Sequence, residues 1–592
     1  MSILLYAVVI PIFFALVCFM TRRLSAWIAL VIAAIETMVA ANIFFFGIGS
    51  SVLNFQASIL NSGAFLAASF FTLLITLYSI KSMEGNEHIG EYYGYILITI
   101  GAAAGAFFAN DYFTLLSFWG VLGATLYMLI GIGGPNAASA AKKTFIIVGG
   151  SDALMIFGIG AVWLMTRSLQ IGIFPISMYG WLPAVAFLSL LAGALAKAGA
   201  MPFHSWIPDC AESAPIPVTA LLPASLDKLL GIYLLFRMCT DIFQVTPNSP
   251  ASIFLLAIGS FTIIAGVMAA LVQHNMRKLL SFHAVSQVGY MVLGIGTALP
   301  VGMAGALFHM LNHTIYKSCL FLAGGSVEKE AGTSELDKLG GLARVMPITF
   351  VSAAVAALSI SGVPPFNGFF SKWMIYQGII ELSGTSRLWV VWLCAAMFGS
   401  ALTLASFVKL IHAVFLGQGS GDRPKAKEVP LLMWLPTLVL ALLCIIFGIF
   451  ASSVPLAMFI LPSVKSVMYT GFWDPALATA LMVIGSLAGL LIYWAGRKGS
   501  AVTRPAYIGG ELIEESAVKV PATGFYNTVR EYGLLALIYR SAEKKLFDIY
   551  ELGSRGAFAL YDVFGFLHNG LLHTYLAWMF LGFALLILFL VL

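Results

Sequence analysis

The sequence predicts an all-α, polytopic membrane protein of about sixteen transmembrane helices. Three observations predict it. Of 592 residues, 60% are hydrophobic and only 10% are charged, where a soluble chain carries about 25% charged residues. Apolar runs of about 20 residues, the length that crosses a bilayer, recur from one end to the other. Lysine and arginine also gather in alternate connections between those runs, as membrane topology requires.

The predicted spans start near residues 3, 25, 62, 93, 111, 143, 181, 215, 251, 280, 301, 346, 388, 431, 474 and 570. The first, Ile3 to Met20, is too long for a signal-peptide core, and its basic pair Arg22-Arg23 follows it instead of preceding it. With both termini outside, the cytoplasmic connections carry Arg22, Arg23, Lys81, Lys142, Lys143, Arg277, Lys278, Lys329, Lys338, Arg344, Arg423, Lys425, Lys427, Arg497, Lys498 and Arg504. The opposite connections carry only Arg167, Arg237, Arg387 and Lys465. One span too many or too few would scramble this segregation downstream. The net charge of +5 is therefore read as topology, not as a nucleic-acid surface.

Two spans are predicted to be interrupted. Ala200-Met201-Pro202-Phe203-His204 and Gly362-Val363-Pro364-Pro365-Phe366-Asn367-Gly368 combine proline, which removes a backbone donor, with nearby glycine. Freed backbone groups at membrane depth must be satisfied inside protein or water. The expected organisation is three N-terminal spans (1–90), a five-helix repeat (91–240), and a second five-helix repeat (250–420). Two further spans (425–498), a lateral amphipathic segment (499–569) and an anchor span (570–592) follow. An odd number of spans per repeat inverts the second relative to the first, with the broken helix in fourth place in each, as in inverted-repeat transporters. In the lateral segment, Phe525, Val529, Leu535, Ile538, Leu546, Ile549, Leu552, Phe558 and Tyr561 recur at helical spacing between charged residues; an irregular linker is the alternative.

Five lysines fall inside spans: Lys197, Lys228, Lys317, Lys372 and Lys409. Each costs about 2.5–3.5 kcal/mol at a helix centre. Snorkelling to the interface is an alternative for Lys409 and Lys228; Lys197 and Lys317 lie between apolar turns, and these two and Lys372 read as functional. The strongest pattern is His309, His313 and Lys317, four residues apart on one helical face. Histidine exchanges protons near neutral pH, so the stripe reads as a proton relay; a metal pair or a structural role is the alternative. His204, His274 and His283 are accessory candidates. Carboxylates at membrane positions are Glu36, Asp111, Asp152 and Asp227. Asp152 is expected to pair with Lys197, Asp227 need not bridge its neighbour Lys228, and Asp111 reads as a solvated boundary residue. The six cysteines lack CxxC spacing, so no cluster or cofactor is expected in this chain.

The runs Ala196 to Asp209, His309 to Gly325 and Pro364 to Trp373 resemble the antiporter-like subunits of respiratory complex I, a family that includes Mrp-type sodium/proton antiporters and membrane-bound hydrogenases. The likeness covers about residues 90 to 420. The C-terminal segment resembles the lateral helix of the longest such subunit. Gln273 to His283 and Pro223 to Gly231 are most similar to the ion-translocating subunit of energy-converting group 4 nickel–iron hydrogenases. The resemblance implies translocation of protons or sodium ions, coupled to ferredoxin-linked redox chemistry in a separate hydrophilic arm. Partner subunits there would carry the iron–sulfur clusters and nickel–iron centre; a multi-subunit complex in a prokaryotic plasma membrane is the implied setting. An Mrp antiporter, a complex I-like dehydrogenase, or a scaffold with a decayed channel are the other readings. Position by position, the resemblance implies that Lys197 is the central lysine of the first repeat, Lys317 the bridging lysine beside His309 and His313, and Lys372 the terminal lysine. Lys228 sits near a bridging basic position, and Asp152 matches an acidic partner. The family usually has a glutamate after Phe118-Trp119; here Gly120 stands in its place.

Overall fold

The computed structural model describes residues 3–417, 426–464, 467–469, 473–496 and 522–591. Arg423, Lys425, Lys465, Arg497, Lys498 and Arg504, and the start of the expected lateral segment, lie outside the described residues. Two units are present, Met1–Thr528 and Val529–Leu592.

The helices of the first unit are α1 (Ile3–Met20), α2 (Ser25–Phe46), α3 (Ile59–Ser82), α4 (Ile89–Phe108), α5 (Tyr112–Gly131), α6 (Ala138–Thr166), α7 (Trp181–Ala198), α8 (Trp206–Ser213), α9 (Ile216–Leu221), α10 (Asp227–Arg237), α11 (Pro250–Leu271), α12 (Met276–Gly296), α13 (Pro300–Ala331), α14 (Pro347–Ser361), α15 (Asn367–Glu381), α16 (Trp389–Ile411), α17 (Leu431–Ile449) and α18 (Pro475–Gly496). The short helix α19 (Asn527–Glu531) is followed in the second unit by α20 (Gly533–Glu543), α21 (Ile549–Leu567) and α22 (Leu572–Val591). Helix α21 places Ile549, Leu552, Phe558 and Tyr561 among charged residues, and no residue of α21 or α22 is buried within the chain.

Thirteen helices among the described residues are long and apolar enough to cross a membrane. Helices α4 and α13 and the interrupted pair α14–α15 bring the crossings to the sixteen that the sequence predicts. Helix α13 is the central pillar: every residue from Val301 to Val327 is buried. Its polar side chains face protein instead of lipid, so its role is legible from polarity and not from hydropathy.

The two interrupted crossings share a construction. Helix α7 ends at left-handed Gly199 (φ 76°) and α14 at left-handed Gly362 (φ 79°), where only glycine adopts the backbone without strain. A neighbouring glycine backs each break. A Cβ on Gly231 of α10 would stand 2.6 Å from the Ala198 nitrogen, and one on Gly448 of α17 would stand 2.0 Å from the Pro365 carbonyl oxygen. At the start of α14, Glu428 accepts from the backbone of Ile348 (2.8 Å) and Thr349 (3.3 Å) and from Thr349 Oγ1 (2.6 Å), a carboxylate cap on the positive end of the helix.

The far end of the first interrupted crossing is clamped. Arg277, at the start of α12, donates to both Glu328 oxygens of α13 (2.6 and 2.7 Å) and to the carbonyls of Ala211, Glu212 and Ala214 at the end of α8. Lys143–Asp209 and Lys278–Glu212, each 2.8 Å, flank it. Replacing Arg277 by Met strands Glu328 and three helix-end carbonyls, and should cost about 2–3 kcal/mol. The check is thermal unfolding of the intact complex in detergent. The Arg277→Met, Glu328→Gln double variant should lose less than the sum of the two singles.

Candidate functional site

The candidate site is a row of buried polar groups on α5, α6, α7, α10, α12, α13 and α15. Its four lysines, and Lys409 of α16 beside them, share one feature: each of these five lies over an aromatic ring. Nζ-to-centroid distances are 5.5 Å for Lys197 over Trp119, 6.0 Å for Lys228 over Trp206, 5.7 Å for Lys317 over both Phe321 and Phe407, 4.8 Å for Lys372 over Tyr290 and 5.5 Å for Lys409 over Tyr526. A desolvated cation over a ring face gains up to about 2 kcal/mol, which offsets part of the cost of burial.

Beyond the rings, the lysines differ in what neutralises them. Lys197, in the last turn of α7, has the only carboxylate among the five: Asp227 Oδ1 at 3.9 Å. Asp152 lies close enough for its charge to act on Lys197 but makes no direct salt bridge with it. Asp152 Oδ1 instead accepts from Trp119 Nε1 (3.0 Å), and the ring of Trp119 stands under Lys197. The indole therefore touches both groups, hydrogen-bonding Asp152 and supporting the Lys197 ammonium. Lys228 donates not to its neighbour Asp227 but to the carbonyl of Ala198 at the end of α7. Lys372 donates to the carbonyl of Ile360 at the end of α14 (2.9 Å). The two breaks are thus capped alike, each by an ammonium that takes a carbonyl freed by the interruption and complements the negative end of the helix dipole.

Lys409 stands in the last turn of α16 and reaches the end of the neighbouring helix, as the snorkelling alternative expects. Its Nζ donates to the carbonyls of Leu271 (2.6 Å), the last residue of α11, and of Gln273 (2.9 Å) just beyond it. Asp111 corrects the reading as a solvated boundary residue: it is 8% exposed, and its Oδ1 accepts from Thr114 N (2.9 Å) as the N-cap of α5.

Helix α13 brings His309, His313 and Lys317 onto one buried face. His309 is held on both ring nitrogens: Nδ1 lies 2.9 Å from Ser371 Oγ, and Nε2 lies 3.2 Å from both Gln287 Oε1 and Tyr316 OH. Neither ring nitrogen of His313 has a hydrogen-bond partner among the described residues, and neither does Lys317 Nζ. Buried polar groups are normally satisfied, so this stretch has spare capacity to bind water or an ion. Tyr290 connects His309 to Lys372, with one ring centroid 5.5 Å from the His309 ring and the same ring under Lys372. Its hydroxyl continues to Ser400 Oγ (2.9 Å), which lies 2.7 Å from Tyr376 OH. Asn312 and Asn367 pair reciprocally (2.9 Å each) and tie α13 to the second break.

The accessory histidines separate. His283 Nε2 lies 2.7 Å from Ser406 Oγ, and its ring packs on Phe407 beside Lys317. His204 lies half-buried at the first break. His274 is outside the membrane region, 2.8 Å from Asp337 Oδ2. Burial works to raise Asp337, but hydrogen bonds with Thr523 and His274 outweigh it and hold the carboxyl below its usual value.

Sequence reasoning missed Trp119, Gln287, Tyr290, Tyr316, Ser371 and the Asn312–Asn367 pair. A signal for two of them exists: His283, Gln287 and Tyr290 follow i, i+4, i+7 along one face of α12. Gly120 is exposed, and a Cβ there would meet open space, so the position of the usual glutamate opens outward, away from the packed interior. Among the described residues, no three His, Cys, Asp or Glu side chains converge to hold a metal ion.

Residues 109–403 match the family described as NADH:quinone oxidoreductase/Mrp antiporter, transmembrane. The chain is similar to Na(+)/H(+) antiporter subunit A1 of Staphylococcus haemolyticus, 31% identical over 501 residues, covering 76% of this chain and 61% of that protein. It is also similar to the subunit of the same name in Staphylococcus saprophyticus, 32% identical over 407 residues, covering 64% and 50%. The chain thus spans between 50% and 61% of the length of these relatives. Among solved structures it is similar to a chain of the membrane-bound sulfane sulfur reductase, an archaeal respiratory membrane complex, with a TM-score of 0.81, 24% identity and 99% of both chains covered. The Mrp complex from Dietzia sp. DQ12-45-1b gives a TM-score of 0.70 at 21% identity, covering 78% of this chain and 96% of that one. Respiratory complex I from Thermus thermophilus gives 0.67 at 19%, covering 78% and 98%. These likenesses show the fold.

Proposed function

Because this chain belongs to the family of antiporter-like membrane subunits shared by Mrp antiporters and respiratory complex I, we propose that it translocates protons or sodium ions along the row Asp152, Lys197, Asp227, Lys228, Lys317, His313, His309 and Lys372. One observation carries the reading. Four fully or nearly fully buried lysines and two buried histidines share a row with one ion pair, and its middle members, His313 and Lys317, have no hydrogen-bond partner among the described residues. Charge kept at that cost inside a membrane marks an ion pathway.

The complex we propose is redox-coupled and energy-converting, of the hydrogenase-like kind, with metal clusters in a separate hydrophilic arm and this chain as a non-redox subunit. The likeness over 99% of both chains to a subunit of a respiratory membrane complex supports it, as does the C-terminal amphipathic helix α21 followed by α22. A second reading, a subunit of an Mrp-type antiporter, is favoured by the curated relatives. In either case the lysine- and arginine-rich connections face the cytoplasm. The test is purification of the intact complex from its native membrane and ion uptake into vesicles rebuilt with it. Co-purifying iron–sulfur and nickel–iron subunits with electron-driven uptake are expected. Small multi-pass partners, with sodium/proton exchange and no redox dependence, would establish the second reading instead.

A further inference from the structure

Glu36 stands apart from the lysine row. It lies halfway along α2 and is fully buried, and neither carboxylate oxygen has a hydrogen-bond partner among the described residues. Helices α1, α3 and α4 pack around α2, and three contacts fix which of their residues share its depth. A Cβ on Gly63 would touch the Phe44 ring at 3.4 Å. From that mark, antiparallel α2 and α3 bring Glu36 level with Phe71 and Thr72. Ser79 Oγ lies 2.7 Å from Tyr92 OH, and from there α3 and α4 bring Thr72 level with Thr99. A Cβ on Gly101 would stand 2.9 Å from the Val8 carbonyl oxygen and 3.1 Å from Pro11 Cγ, which sets the middle of α1 at the same depth.

That level is rich in acceptors and lacks cations. Pro11 has no N–H, so the Ala7 carbonyl loses its ladder donor there. Thr72 and Thr99 each donate to a carbonyl of their own helix (2.8 and 2.6 Å), which leaves oxygen lone pairs free. Helices α1 and α2 carry no lysine, arginine or histidine. On α3 the only charge is Lys81 in the last turn, paired with Glu84 at 3.1 Å. On α4 it is Glu91 in the first turn, beside His88 (3.0 Å), with Tyr92, Tyr93 and Tyr95 following. Cys18 lies near the far end of α1, with its thiol on the Ser25 carbonyl. The segment Ser452–Ile460, whose Phe459 stacks on Phe44, is uncharged. A carboxylate anion here would have no counter-charge, whereas a carboxylic acid needs only an acceptor. Between this level and the face that holds Lys81 and Glu91 runs a hydroxyl seam. Tyr92 and Ser79 are paired, and beside them the Tyr93 hydroxyl and Thr76 Oγ1 are buried without partners. Hydroxyls can hand on a proton.

We propose that Glu36 is a proton-binding site separate from the lysine row, loaded from the Lys81–Glu91 face through Tyr92, Ser79, Tyr93 and Thr76. The test is infrared spectroscopy of the intact complex in membranes, comparing wild type with Glu36→Gln. A protonated-carboxyl C=O band that is present in wild type, absent in the variant and shifted by deuterium oxide is expected. Combining Tyr93→Phe with Thr76→Val should slow the deuterium shift about tenfold. Lys317→Met should leave the band unchanged, which separates this site from the ion row. Should Glu36→Gln fail to assemble, Glu36→Asp must displace the band. A band identical in wild type and variant, one blind to deuterium oxide, or one removed by sodium ions at constant pH would overturn the proposal.

Discussion

Replacing Lys317 by methionine is expected to reduce ion uptake to that of protein-free vesicles and, in the same variant, to raise the unfolding temperature. The two signs come from one geometry. Lys317 is fully buried in the middle of α13, and its Nζ has neither hydrogen bond nor ion pair among the described residues. An ammonium at that depth costs about 2.5–3.5 kcal/mol, and the faces of Phe321 and Phe407 return about 1–2 kcal/mol. Methionine keeps most of the length and adapts to the same apolar walls, so the fold should gain about 0.5–2.5 kcal/mol, the difference between those two terms. Most substitutions of a fully buried side chain destabilise, so a gain coupled to loss of transport identifies a charge kept for function against the interest of stability. Uptake that persists in a destabilised Lys317→Met protein would make the lysine structural and remove the middle of the proposed row.

The sequence made the fold legible to an unusual depth because the bilayer imposes one constraint on every crossing. The sixteen predicted spans, read from apolar runs ended by Gly, Pro or charge, each begin within about five residues of a helix start. The two interruptions followed from the glycine and proline clusters at 199–202 and 362–365, and the face of α13 from the fourfold spacing of His309, His313 and Lys317. What stayed hidden were choices between helices. Lys197 could reach Asp152 on α6 or Asp227 on α10, and no spacing within a helix decides between them. Trp119, which donates to Asp152 and lies beneath Lys197, reads in sequence as one more core aromatic. Lys228 and Asp227 are adjacent in the chain, yet one caps α7 and the other pairs with Lys197, because successive helical residues point about 100° apart. Glu36 was visible as a membrane carboxylate, but its lack of partners emerges only once three other helices are packed around it. Gly120 is visible as a departure, and its consequence is not: its outward exposure leaves the interior row intact and relocates the question to whatever covers that surface.

Substitutions at Lys372 are expected to separate charge from proton release. Lys372 Nζ donates to the Ile360 carbonyl across the second break and sits over Tyr290, whose ring also faces His309. Lys372→Met removes the donor and leaves a helix-end carbonyl unsatisfied, so here the fold should lose about 1–3 kcal/mol, opposite in sign to Lys317→Met. Uptake should fall to background in both. Lys372→Arg is the discriminating variant. A guanidinium keeps the positive charge and can donate to the same carbonyl, but it does not give up its proton in a protein. If the lysine passes a proton between His309 and the Tyr290–Ser400–Tyr376 hydroxyls, Lys372→Arg should be as inactive in vesicle uptake as Lys372→Met while recovering most of the lost stability. Should it restore uptake instead, the ammonium acts as a fixed charge that caps α14, and protons do not pass through it. The tyrosine relay can be probed in the same assay, because Tyr290→Phe keeps the ring beneath Lys372 and removes only the hydroxyl that leads to Ser400. Full activity in that variant would exclude the hydroxyl route and leave the ring as a support for the charge.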